Sequence, residues 1–169
     1  LIAIAEDYGT VKVGSNEGLR LSVELVAKRI KDIESQLKSE LWVQGRVRSG
    51  PADNQIRNVM LDDVDTIETQ FLDEGIGWTK SDKSPGSRIN GLQLMRDRLR
   101  ASQQKERPGI YFMRNCRSCL KTLPSLPRDP DKPDDVDTDA EDHLWDVVRY
   151  RILASSNRYA TKVETDWRG

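Results

Sequence analysis

Asp142 and Asp146 stand four residues apart in the stretch VDTDAEDHLWDVVRYRIL, whose apolar spacing is helical. Residues at i and i+4 share a helix face, so two carboxylates placed this way repel each other unless a cation lies beside them. Arg149 falls on the same side at i+7, and His143 lies beside Asp146. Hard divalent cations such as Mg²⁺ take oxygen ligands and keep several waters, so two or three Asp residues suffice to hold one. A further carboxylate, Asp53, follows Gly50 and Pro51 at the end of a segment rich in aromatic and β-branched residues. Open α/β sheets place their chemistry at the carboxyl ends of strands, which makes Asp53 a candidate ligand. His143 is the single histidine; an imidazole there can orient a water or protonate a leaving group, because this side chain titrates near neutrality. Each acid also has a plain structural use, since Asp favours turns and an acidic helix start suits the macrodipole.

Charge along the chain is uneven although the total is nearly balanced, 27 basic against 28 acidic residues. Residues 78–107 carry Lys80, Lys83, Arg88, Arg96, Arg98, Arg100, Lys105 and Arg107, whereas residues 129–142 carry eight acids. A basic block beside an acidic block suits a site where acids hold metal and bases hold phosphate, and it equally suits two solvated faces. The loop KSDKSPGSR offers Lys80, Lys83 and Arg88 for phosphate contacts, with Gly and Pro letting backbone N–H groups approach an anion. Cys116 and Cys119 form one CxxC, half of a zinc site with no second pair, so a packing role in a reducing compartment is the expectation.

The elements that would position these groups alternate between strand and helix. Strands are expected over 1–5, 42–50, 75–79 and 110–113, and helices over 22–41, 62–74, 90–104 and 139–154. Ser22 is a plausible N-cap, and Thr138 with Glu141 has the form of a capping box opening the last helix. Leu144, Val147, Val148 and Ile152 would then face the sheet. Residues 124–139 hold four of the seven prolines and many acids, an ordered loop at best. No run of roughly 18–20 apolar residues is present, so no membrane span is expected. The pattern predicts a single α/β domain over 1–169 with a largely parallel sheet. The opening on a strand without Met is read as a piece of a longer chain.

The segments GPADNQI, WTKSDKSPGSRINGLQLMRDRL and DPDKPDDVDTDAEDHLWDVVRY resemble, in colinear order over nearly the whole chain, the nuclease domain of bacteriophage large terminase subunits. The ending built from His143, Asp146, Arg149 and Tyr150 is the most specific part of the likeness. The resemblance implies an RNase H-like mixed sheet flanked by helices and a metal-dependent DNA endonuclease. Such an enzyme cuts concatemeric viral DNA at packaging initiation and termination. It implies Mg²⁺ or Mn²⁺ in a two-metal site with the ions about 3.5–4 Å apart. Asp53 and Asp146 match two of the family's three carboxylates, Asp142 a commonly acidic neighbour, and His143 the adjoining motif position. The strand carrying the first carboxylate would precede Leu1, as would an ATPase motor. No GxxxxGK[ST] occurs in this chain, so it is not that motor. The implied partners are double-stranded DNA, the portal protein and the small terminase subunit, in the host bacterial cytoplasm at the procapsid portal. A non-catalytic RNase H-like module docking on DNA or portal is the alternative. A junction-resolving or transposase-type nuclease rests on fold analogy alone.

Overall fold

The computed structural model describes residues 1–13, 15, 17–58, 65–137 and 140–166, with side chains described up to residue 156. Along the chain these form β1 (Ile2–Ala3), α1 (Val23–Ser39), β2 (Pro51–Ala52), a 3₁₀ turn (Asn54–Arg57), α2 (Ile67–Asp73) and β3 (Thr79–Lys80). They continue with α3 (Ser87–Gln103), β4 (Tyr111–Phe112), α4 (Arg117–Thr122), a second 3₁₀ turn (Leu123–Ser125) and α5 (His143–Asp166). The chain divides into two compact units. The first comprises Leu1–Glu6, Lys12–Asn16 and Asp82–Gly169, and the second Asp7–Val11 and Glu17–Ser81.

In the first unit, β1 pairs in parallel with β4, Ile2 opposite Tyr111 and Ala3 opposite Phe112. Against this ribbon α3 and α5 pack on each other. Leu92 and Met95 of α3, Ile110, Val136, and Trp145, Val148 and Ile152 of α5 form the core. Trp145 and Ile152 are fully buried; each contributes roughly 1.5–3 kcal/mol of apolar burial or more. Helix α3 begins at Ser87, three residues before the expected 90, because Gly86 takes a left-handed φ of 81° and turns the chain into the helix. Helix α5 begins at His143 rather than 139, and Asp142 O accepts its first backbone bond from Asp146 N at 3.0 Å.

Two expectations for α5 are corrected. Val147 is 61% exposed and does not face the core; the inward stripe runs through Leu144, Trp145, Val148 and Ile152. Trp145 takes the inward place expected of Val147, while Leu144, Val148 and Ile152 stay buried as expected. Glu141 does not complete a capping box, since neither of its carboxylate oxygens has a hydrogen-bond partner. Thr138 and Asp139 lie outside the described residues. Ahead of α5, residues 128–137 are ordered: Arg128 bridges Val136, and Asp129 accepts N–H groups from Asp131 at 2.8 Å and Lys132 at 2.9 Å.

The second unit carries a parallel pair of its own, β2 with β3, Pro51 opposite Thr79 and Ala52 opposite Lys80. Both pairings are parallel as expected, but among the described residues they form two ribbons of two strands rather than one sheet. The expected strand over 42–50 does not form. Leu41 and Gly45 take left-handed φ values of 62° and 77°, breaking the extended run, and Trp42 is 57% exposed. Helix α1 is capped as expected by the Ser22 hydroxyl, which accepts from Leu25 N. Helix α2 starts at Ile67, with Thr66 Oγ1 accepting from Thr69 N at 3.1 Å; residues 62–64 lie outside the described residues. The molecule is mixed α/β with five helices and small parallel ribbons among its described residues.

Candidate functional site

Four elements of the first unit bring charged side chains to one place: the loop before α3, the start of α3, the 128–137 loop and the start of α5. They surround a cleft of about 400 Å³ lined by Lys83, Arg88, Lys132, Asp135, Asp146 and Arg149, among others. Arg88, one residue into α3, is its hub. Its Nε donates to both Asp135 oxygens at 2.9 and 3.1 Å, and its Nη2 to Val136 O at 3.1 Å. Its Nη1 lies 3.5 Å from Asp142 Oδ2 and 3.5 Å from Asp146 Oδ1. One guanidinium thus serves three carboxylates. Burial lowers its proton affinity, but the Asp135 bond and the acids' charges outweigh this and raise it. Asp142 is the complement: burial and the neighbouring Asp146 charge push its carboxyl up, and Arg88 only partly opposes them.

Asp146 is held from its own helix. Arg149 Nη2 and Nε donate to its Oδ1 at 2.9 and 3.1 Å, and Tyr150 donates its hydroxyl to Oδ2 at 3.1 Å. Arg149 is only 2% exposed, and its guanidinium stacks 4.5 Å over the Tyr150 ring. Its Nη1 also reaches Ser87 Oγ at 3.4 Å. Gly91 makes room for the Arg149 stem, because a Cβ there would come within 2.5 Å of Arg149 Cγ. Lys83 Nζ sits 5.9 Å from the same Tyr150 ring.

The structure therefore gathers Asp142, Asp146 and Arg88, with Lys83 at the edge of the cleft. His143 is exposed at the first position of α5, where its charge acts on Glu141 and Asp142. Asp53 and Lys80 belong to the second unit. Asp53 follows β2 directly, and its Oδ1 caps the 3₁₀ turn by accepting from Gln55 N at 2.8 Å. Lys80 is exposed at the end of β3. Sequence reasoning did not single out Asp135, Lys132 or Gly91. An isolated Gly inside a helical pattern, RINGLQ, was the available signal for Gly91, since such a residue usually has a packing reason.

Mg²⁺ is commonly held by one or two carboxylates together with waters and substrate phosphate, but here the positive charge facing both Asp142 and Asp146 is the Arg88 guanidinium, and the cleft is lined by Lys83, Arg88, Lys132 and Arg149 against Asp135 and Asp146. Among the described residues, no group of three or more His, Cys, Asp or Glu residues is placed to hold a metal by protein ligands alone.

The CxxC is structural in its surroundings. Cys116 and Cys119 are both unpaired and buried, and Glu6 accepts the Ser118 and Cys119 N–H groups. Burial and the Glu6 carboxylate push the Cys119 thiol up to about 12. Among the described residues no helix is long and apolar enough to cross a membrane. Comparison of the chain with protein-family models, with curated proteins and with solved structures gives no match.

Proposed function

We propose that the chain is a metal-dependent DNA endonuclease domain of the viral terminase type, with an RNase H-like arrangement, acting on double-stranded DNA. What supports this reading is the resemblance borne by His143, Asp146, Arg149 and Tyr150, together with the nearness of Asp142 to Asp146 at the opening of α5 beside a basic loop, where Arg88 faces both acids. Asp146 and Asp142 would hold Mg²⁺ or Mn²⁺. Bound divalent ions supply Lewis acidity, activating the attacking water and neutralising charge on the scissile phosphate. Asp146, gripped by Arg149 and Tyr150, presents a fixed carboxylate. Lys83 and Lys132 line the cleft and add positive charge for backbone phosphates, contacts that carry no sequence information. His143 is exposed and so accessible for proton transfer at a leaving oxygen. Asp53, assigned to metal binding by the same resemblance, is tested separately. On this reading the partners are the portal protein and the small terminase subunit, at the procapsid portal in the host cytoplasm.

One observation favours a second reading, a docking module without chemistry: Asp146 Oδ1 already accepts twice from Arg149 and faces Arg88. Manganese-dependent nicking of supercoiled plasmid separates the two. The nuclease reading expects nicking by the protein, lost in Asp146→Asn and in Asp53→Asn with the fold retained. DNA retention equal in wild type and both variants, with no cleavage by any, would establish the docking module instead.

A further inference from the structure

We infer that the cleft at the start of α3 seats a phosphate monoester, a terminal phosphoryl group, between the first amides of that helix, Ser87, Lys83 and Lys132. The inference goes beyond the nuclease reading and does not need it. An endonuclease meets diesters along a backbone, whereas the donors gathered here suit a group with three free oxygens. A phosphoryl terminus carries close to two negative charges at neutral pH and three strong acceptor oxygens. The cleft holds about 400 Å³ and is lined by four cationic side chains against two acids. Those acids are spent within its wall. Asp135 is bonded to Arg88 Nε, Asp146 to Arg149 and Tyr150, and Asp142 shares Arg88 with them. The two arginines are thereby largely neutralised, and the charge offered to a ligand is that of Lys83 and Lys132, both at exposed positions.

Uncharged donors complete the set. Gly86 opens α3 with no side-chain cap. Ser87 N is spent on Ser84 O at 3.0 Å and Asn90 N on Gly86 O at 2.9 Å. Between them, the N–H groups of Arg88 and Ile89 belong to the first turn, where a helix has no acceptor of its own and an anion is favoured. Ser87 is only 6% exposed, yet it lines the cleft. Its Oγ accepts from Arg149 Nη1 at 3.4 Å, which leaves the hydroxyl hydrogen to donate. Two amides, a hydroxyl and two ammonium groups match three oxygens better than the two unesterified oxygens of a diester. Two ammonium charges also match a dianion, whereas a diester carries a single charge.

The test is calorimetric titration of the protein with inorganic phosphate, with a nucleoside monophosphate and with dimethyl phosphate, a diester. Saturable binding of phosphate and of the nucleotide at millimolar concentration or below is expected, with dimethyl phosphate weaker by about tenfold. Lys132→Ala should weaken phosphate binding about tenfold and Ser87→Ala about fivefold, the usual cost of one charged and one neutral hydrogen bond. Lys38→Ala, at the end of α1 in the other unit, should change nothing. Lys132 is exposed, so its variant decides the matter even where Ser87→Ala fails to fold. An end-phosphorylated oligonucleotide that binds more tightly than the nucleotide assigns the phosphoryl group to a DNA end; the reverse order assigns it to a free nucleotide. No binding at millimolar phosphate, equal affinity for dimethyl phosphate, or equal losses in Lys132→Ala and Lys38→Ala would overturn the inference. Plasmid nicking by the same preparation separates the two claims. Nicking without phosphate binding overturns the phosphoryl site alone, and phosphate binding without nicking upholds it while the nuclease reading falls.

Discussion

Replacing Gly91 by Ala sets two effects of known sign against each other. Alanine in a helix interior is favoured over glycine by about 1 kcal/mol, and Gly91 lies within α3. The new methyl, however, would stand 2.5 Å from Arg149 Cγ and 2.9 Å from Cδ, well inside the roughly 3.5–4.0 Å of a relaxed carbon contact. A free surface arginine would move aside. Arg149 is not free, because its guanidinium is bonded to Asp146 and Ser87 and stacked on Tyr150. Overpacking a fixed site costs about 1–3 kcal/mol, so the clash wins and Gly91→Ala is expected to destabilise by about 1 kcal/mol net. In an Arg149→Ala background Cγ and Cδ are gone. The same substitution should then stabilise by about 1 kcal/mol, a coupling near 2 kcal/mol for residues in contact. Urea unfolding of the four proteins followed by circular dichroism gives the cycle. A Gly91→Ala protein as stable as the wild type, with no coupling to position 149, would refute the claim that Arg149 is locked.

Two further outcomes follow from buried ionisable groups. Glu141 has both carboxylate oxygens covered and unpartnered, and burial raises its proton affinity in the fold. Folding therefore takes up a proton there, so stability is fully present below the ordinary carboxylate range and lost as pH rises through the raised value. Glu141→Gln should be more stable than the wild type at pH 7, since a covered, unpartnered charge costs more than an amide, with the gain shrinking towards pH 4; equal slopes of stability against pH in the two proteins would contradict this. Cys116 and Cys119 should resist iodoacetamide at pH 8 in the folded protein and react in 6 M urea, because the attacking species is the thiolate and burial together with Glu6 suppresses it at both positions. Rapid labelling of the native protein would show that the pocket around them opens.

The sequence was most legible where a local rule acts alone. Ser22 opens α1, the parallel sense of both pairings follows from strand–helix alternation, and the approach of Asp142 to Asp146 follows from a spacing of four. It misled where conformation at one residue overrides a favourable run. Aromatic and β-branched side chains around Trp42 read as a strand, but left-handed Leu41 and Gly45 turn that run into exposed loop. The same limit explains the site. Arg88 reads as a phosphate contact in a basic loop, yet its partners Asp135 and Asp142 lie 47 and 54 residues further on. No periodicity spans that gap. Val147 and Val148 show the problem within one helix, because which of two adjacent apolar residues points inward depends on what it meets, and only Val148 joins the core with α3 and Val136.

The two units are interleaved in the chain, and this imposes an order on their assembly. All of the second lies between Asp7 and Ser81, whereas β1 of the first waits for β4 and its packing helices. During synthesis, units tend to fold as they emerge. The inserted unit can therefore close once Ser81 is out, while the short β1 segment stays without its partner until Tyr111 and Phe112 arrive. Its hydrophobic lid, Trp145 through Ile152, comes later still. Until that stretch has left the ribosome, a finished insert coexists with an unfinished host.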